Sequence, residues 1–139
     1  MIEVVNRQRK IAVDIERWQA FSERALKSLR KSESDATIAF VSDRQMKDLN
    51  KRFRNINRST DVLSFPAEDA GVAAGTNLGD IAVSLERATT QAEENGLTLE
   101  VEIAQLILHG LLHLCGYDHE TDQGQMNRLE LQLRRKLGI

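Results

Sequence analysis

All three histidines of this 139-residue chain fall within eleven consecutive residues, HGLLHLCGYDH, as His109, His113 and His119. Residues four apart on a helix project from the same face, so His109 and His113 present two imidazoles side by side. Two such rings can share one ion at about 2.0–2.1 Å from each nitrogen. His119 must then arrive from beyond the helix. Gly116 supplies the means, because a residue tolerant of positive φ ends a helix abruptly and folds the chain back. Two imidazoles merely filling an apolar helix face would each need its own buried hydrogen-bond partner, which makes that reading expensive. Three neutral histidines without a Cys₂His₂ or Cys₄ complement leave a tetrahedral ion one open position, as catalytic sites do. The ion keeps its full charge, and its bound water is acidified towards a pKa of about 7. Zn2+ is the default, with nickel, cobalt or iron accepted by the same nitrogens.

The spacing H-x3-H-x2-G-x2-H matches the ligand rhythm of metzincin proteases, H-E-x-x-H-x-x-G-x-x-H. The glutamate that serves those enzymes as general base is replaced here by Gly110. A peptidase must deprotonate its attacking water and then protonate an amine, and Gly110 does neither. A phosphodiester is already anionic and leaves as an alkoxide. Its main requirement is charge neutralisation, which a dication and an arginine supply. Positive charge is concentrated in DRQMKDLNKRFRNINRS, where Arg44, Lys47, Lys51 and Arg54 follow a helical i, i+3, i+7, i+10 pattern and Arg52 and Arg58 extend it. Such a run is ordinarily a solvated helix face. Only Asp43 and Asp48 interrupt it in an otherwise acidic chain, and a stripe of this kind suits a phosphate backbone. Asp118, Glu120 and Asp122 are candidates to orient the histidine rings, and Tyr117 to hydrogen-bond near them. Cys115, two residues beyond His113, points away from the ligand face and reads as a small buried residue.

The elements that must position these groups follow from periodicity. The length suits one domain, 1–139, with 41% apolar and 29% charged residues. The net charge of −2 excludes a globally basic nucleic-acid binder but not a local basic patch. One cysteine forms no internal disulfide. No segment approaches the roughly 20 apolar residues of a membrane span, and MIEVVNRQRK has no signal-peptide core. A cytoplasmic protein is expected.

Residues 1–6 read as a short strand. Asp14 caps a helix carrying Ile15, Trp18, Phe21, Ala25 and Leu29 on one face. DATIAFV, 35–41, is a strand. Ser42 and Gln45 form a capping box for a second helix with Met46, Leu49 and Phe53 turned inward. Residues 61–65 form a third strand stopped by Pro66, the only proline, and a small-residue loop, AGVAAGTN, follows. Residues 78–83 form a fourth strand, and Ser84 caps a polar helix ending near Gly96. From Thr98 to about Leu114 the chain is apolar nearly all round, the mark of a buried central helix. Thr121 or Asp122 opens a last helix with Met126, Leu129, Leu133 and Leu137 on one face. The fold class is α+β, a small four-stranded mixed sheet packed against helices.

HGLLHLCGYDHE resembles the H-G-x-L-H-L-x-G-Y-D-H signature of the YbeY family of bacterial endoribonucleases, and STDVLSFP and LGDIAVS resemble that family's two other blocks, in the same order. The resemblance implies a zincin-like fold and a metal-dependent, single-strand-specific endoribonuclease. It implies RNA rather than DNA as substrate, and ribosomal RNA and the small ribosomal subunit as partners. Maturation of the 3′ end of small-subunit RNA and ribosome quality control are the implied roles. It assigns His109, His113 and His119 as zinc ligands. It also assigns Arg54, seven residues before Asp61, as the functional arginine, a choice over Arg58 that spacing alone does not make; the basic stripe itself offers Arg44, Lys47, Lys51 and Arg58 as RNA-binding residues that guide the strand. Where relatives often carry Asn before VLSFP, this chain has Asp61. Two other functions are compatible with the histidines: a metallopeptidase recruiting a displaced base such as Glu120, and a non-catalytic zinc module on the ribosome.

Overall fold

The computed structural model describes residues 1–67, 77–118 and 120–139. All but the last residue of the small-residue loop expected at 70–77 lies outside them, as does His119. The elements run β1 (Ile2–Asn6), α1 (Ile15–Ser28), β2 (Asp35–Val41), α2 (Asp43–Arg54), β3 (Val62–Pro66), β4 (Asn77–Ser84), α3 (Leu85–Asn95), α4 (Leu99–Leu114) and α5 (Gln125–Leu137). The sheet order is β1-β2-β4-β3, with β1, β2 and β4 parallel and β3 antiparallel to β4.

Alternation along the strands builds two apolar faces. Ala36, Ile38 and Phe40 of β2, with Ile81 and Val83 of β4, join the large core beneath α1, α3, α4 and α5. Val41, Leu63 and Ala82 face the other way and meet Met46 of α2 in a smaller cluster. The period of two in strands makes this division obligatory. Helix α4 is the centre of the large core. Its Ile107, Leu108, Leu111 and Leu112 are fully buried, each contributing roughly 1.5–3 kcal/mol of transfer free energy. Thr98 caps it, accepting from the Val101 N–H at 3.2 Å.

Several local expectations meet corrections here. Pro66 is the last residue of β3 and pairs with Gly79, rather than stopping the strand before it. β3 is an edge strand, where a missing N–H is tolerated. The last helix begins at Gln125, later than expected. Asp122 instead uses its carboxylate to accept from the Gly124 and Met126 N–H groups at 2.8 and 2.9 Å, and Gly124 takes the cap position with φ +94°. Phe53 does not turn inward: it is 60% exposed, outside the small cluster, with its ring tilted against that of Phe65.

Candidate metal centre

The two histidines of α4 converge as their spacing predicts. Their Nε2 atoms are 3.2 Å apart, with ring centroids at 4.7 Å and planes at 80°. Two nitrogens bound tetrahedrally to one ion at about 2.05 Å would lie about 3.3 Å apart. The separation of the pair therefore matches that of two ligands on a shared zinc. Among the described residues no third His, Cys, Asp or Glu completes a metal-ligating group with them, and the third predicted ligand, His119, lies outside those residues. Gly116 adopts φ +97°, with its N–H donating to the His113 carbonyl at 3.0 Å, while the Tyr117 N–H reaches back to the Leu112 carbonyl at 3.1 Å. The chain thus leaves α4 through the left-handed turn that the sequence demanded.

The residue that orients His109 is one that spacing missed. Glu130, 8% exposed on α5, places Oε1 2.7 Å from His109 Nδ1, and Arg134 Nη2 donates to Glu130 Oε2 at 2.6 Å. Burial alone would raise the Glu130 carboxyl. The His109 hydrogen bond and Arg134 are among the causes that outweigh it and hold the carboxyl below its ordinary value. A carboxylate at Nδ1 fixes a proton there and leaves Nε2 as the lone-pair donor towards an ion. The sequence offers Asp118, Glu120 and Asp122 for orienting the histidine rings. Asp118 and Glu120 line the cleft, and Asp122 caps the turn before α5. The signal for Glu130 was present: a carboxylate one residue beyond Leu129 and four beyond Met126, next to the buried face of α5.

Gly110 has a packing reason. Its position faces β4, where an added Cβ would lie 2.9 Å from Ile81 Cδ1 and 3.0 Å from Ile81 Cγ2. Its carbonyl accepts from Ser64 Oγ at 3.3 Å. The residue after the first histidine thus lies against the sheet. Cys115 is partly buried against the large core, and burial pushes its thiol up, which favours the neutral form and makes it a poor ligand.

A cleft of about 890 Å³ opens over the histidines. One wall is β3 with Phe65 and the residue before the strand, Asp61, the other the turn after α4 with Tyr117, Asp118 and Glu120, and the exposed Phe53 and Arg54 complete the lining. Arg54 is carried there as the last residue of α2, which Asn55 ends with φ 56°, a left-handed conformation Asn tolerates. Asn50 Nδ2 donates to the Arg58 carbonyl at 2.9 Å, and Ser59 Oγ donates to Asp43, so the segment after Arg54 is tied to α2. Arg54 and Asp61 also line an adjoining groove that contains Arg58 and Arg87. Arg44, Lys47 and Lys51 are exposed on α2 and line neither cleft nor groove. Of the predicted basic stripe, the fold brings Arg54 to the histidines and Arg58 beside it.

Behind Asp61 lies a buried acid. With its amide nitrogen turned towards both carboxylates, Gln91 donates to Glu102 Oε1 at 3.0 Å and Asp61 Oδ2 at 3.1 Å. Burial, and then the Asp61 charge, raise the Glu102 carboxyl, against a hydrogen bond from Asn95 and the charge of Arg134.

These features can be set beside known proteins. The curated protein Endoribonuclease YbeY of Nautilia profundicola is 44% identical over 108 residues, covering 78% of this chain and 76% of its own length. Endoribonuclease YbeY of Caldanaerobacter subterraneus is 38% identical over 152 aligned residues, covering 96% and 95%. The solution structure of TM1509 from Thermotoga maritima superposes with a TM-score of 0.69 at 28% identity, over 99% of this chain and 89% of that one. The model of the family described as Endoribonuclease YbeY matches residues 3–138. The paired imidazoles, the arginine lining their cleft and a match over nearly the whole chain agree: this chain belongs to the Endoribonuclease YbeY family.

Proposed function

We propose that this protein is a zinc-dependent, single-strand-specific endoribonuclease of the cytoplasm. Its expected substrate is ribosomal RNA, at the 3′ end of the small-subunit RNA and in ribosome quality control. Membership of an endoribonuclease family supports the RNA-cleaving activity. The observation that carries the metal dependence is the 3.2 Å approach of the His109 and His113 Nε2 atoms, two of the side chains that line the cleft. His109 and His113 would hold the ion, with His119 as the third ligand. When bound, a dication there supplies positive charge to the reacting phosphate and lowers the pKa of a water.

The remaining steps belong to the chain's own side chains. Glu130 retains the Nδ1 proton of His109 and keeps its ring aimed into the cleft. Arg54 offers a planar, permanently charged fork to the non-bridging oxygens of the scissile phosphate, the geometry best suited to phosphate. Gly110 against Ile81 leaves the first turn after His109 without a base, which disfavours peptide hydrolysis by the metzincin route. No single helix among the described residues is long and apolar enough to cross a membrane.

The test is metal analysis of the purified protein, followed by assay of that preparation on single-stranded ribosomal RNA. Cleavage should disappear on chelation, return with zinc, and be absent from His113→Ala. Cleavage that persists in His113→Ala, or peptide turnover in place of RNA turnover, would overturn the assignment. Tight ribosome binding without cleavage at any zinc loading would favour the non-catalytic module.

A further inference from the structure

Phe53 is a large apolar side chain left in solvent in the lining of the histidine cleft, where the sequence called for a core residue. It is 60% exposed, and both it and its neighbour Arg54 line the cleft with His109 and His113. Adjacent residues on a helix differ in direction by about 100°, so ring and guanidinium flank one another without competing for the same space. The ring is not loose. Phe65 of β3 packs against it in a tilted pair, with centroids 5.2 Å apart and planes at 66°. The capped end of α2 holds its backbone. A braced aromatic that is 60% exposed beside a phosphate-seeking arginine is the arrangement that binds an unpaired base.

We infer that the Phe53 ring is a stacking platform for one unpaired RNA base next to the phosphate held by Arg54, an inference that rests on the nuclease reading above. The charge in the cleft supports it. Asp61, Asp80, Asp118 and Glu120 also line the walls, so attraction of phosphates is offset away from Arg54 and the histidines. Stacking is indifferent to those carboxylates and supplies affinity that charge alone does not. It also gives the platform its selectivity. A base in a duplex is stacked on its neighbours and reaches Phe53 only after unpairing, whereas a single strand offers it directly.

The experiment compares wild type, Phe53→Ala and Phe53→Trp on a short single-stranded RNA carrying one abasic nucleotide at each position around the cut in turn. Circular dichroism first checks that the variants fold, as expected for a side chain outside the core. Phe53→Ala should raise KM roughly ten-fold with a much smaller change in kcat, and Phe53→Trp should restore it. In wild type, one abasic position beside the cut should reproduce that loss, and the same position should cost nothing more in Phe53→Ala. Wild-type KM in Phe53→Ala, or abasic losses that add to the substitution, would overturn the platform. A cleavage-independent arm uses a 2′-O-methyl RNA containing 2-aminopurine. Quenching on binding to wild type but not to Phe53→Ala supports the platform even if the protein proves not to cleave RNA. Equal quenching by both, or none by either, overturns it while leaving the nuclease assignment to its own assay.

Discussion

Glu130 Oε1 lies 2.7 Å from His109 Nδ1, joining α5 to the central helix at the point where an ion would be held. The contact makes the C-terminal helix part of the site, although Glu130 is eleven residues past the last histidine in sequence. Arg134, one turn further on, holds the other carboxylate oxygen at 2.6 Å.

Removing the charge of Glu130 while keeping its shape should therefore weaken metal binding. Glu130→Gln is expected to lower zinc affinity ten- to a hundredfold, read by competition with a chromophoric chelator. Zinc content and affinity equal to wild type would rule out Glu130 as the residue that tunes His109.

Arg54 should act on turnover and leave the metal alone. In Arg54→Ala, kcat on single-stranded RNA is expected to fall about a hundredfold, the scale of losing one preorganised charge at the reacting group. Zinc content should be unchanged. Arg54→Lys should recover only part of the loss, since a point charge does not reproduce the bidentate fork.

Gly110 tests whether the missing glutamate has a steric cause. Gly110→Ala brings a Cβ to 2.9 Å from Ile81 Cδ1. Overpacking of this kind costs about 1–3 kcal/mol, against about 1 kcal/mol gained in helix propensity, so stability to urea should fall. Adding Ile81→Val, which removes the nearest atom, should return part of the loss instead of adding its own. Strict additivity would mean that the close approach is relieved elsewhere.

The buried Glu102 should make stability fall as pH rises. Burial and the Asp61 charge raise its carboxyl in the folded protein. The native state therefore binds the proton more tightly than the unfolded chain, whose value is about 4.3. The favourable contribution is complete below that unfolded value. It is lost as pH climbs to the raised folded value, and is absent above it. Glu102→Gln, which still accepts from Gln91, should flatten this part of the pH–stability curve and stabilise the protein at neutral pH. A curve of unchanged slope would place the titration on another group.

Much of the site was legible because it is local. His109 and His113 share a face through helical geometry, and Gly116 was required to turn the chain; Arg54 was singled out over Arg58 only by the family resemblance. Helix α4 announced its burial by lacking a polar face. Phe53 was misread because helical spacing gives the direction of a side chain around its own axis and says nothing of what lies opposite. The small cluster ends at Val41, Met46, Leu63 and Ala82, and Phe53 falls beyond it. Arg44, Lys47 and Lys51 stand exposed on α2 outside the cleft, where the helical spacing that aligns them does not say what they face.

The sequence by itself determined the elements, the pairing of two imidazoles, the left-handed exit from α4 and the family. Those depend on backbone periodicity and on contacts a few residues apart. Only the tertiary structure decided that β3 joins β4 as an antiparallel edge, that position 110 meets Ile81 rather than substrate, and that Glu130 and not Asp118 or Glu120 grips His109. Each of these is set by how separate elements pack. Close packing admits one arrangement of neighbours among many that the same local periodicities allow.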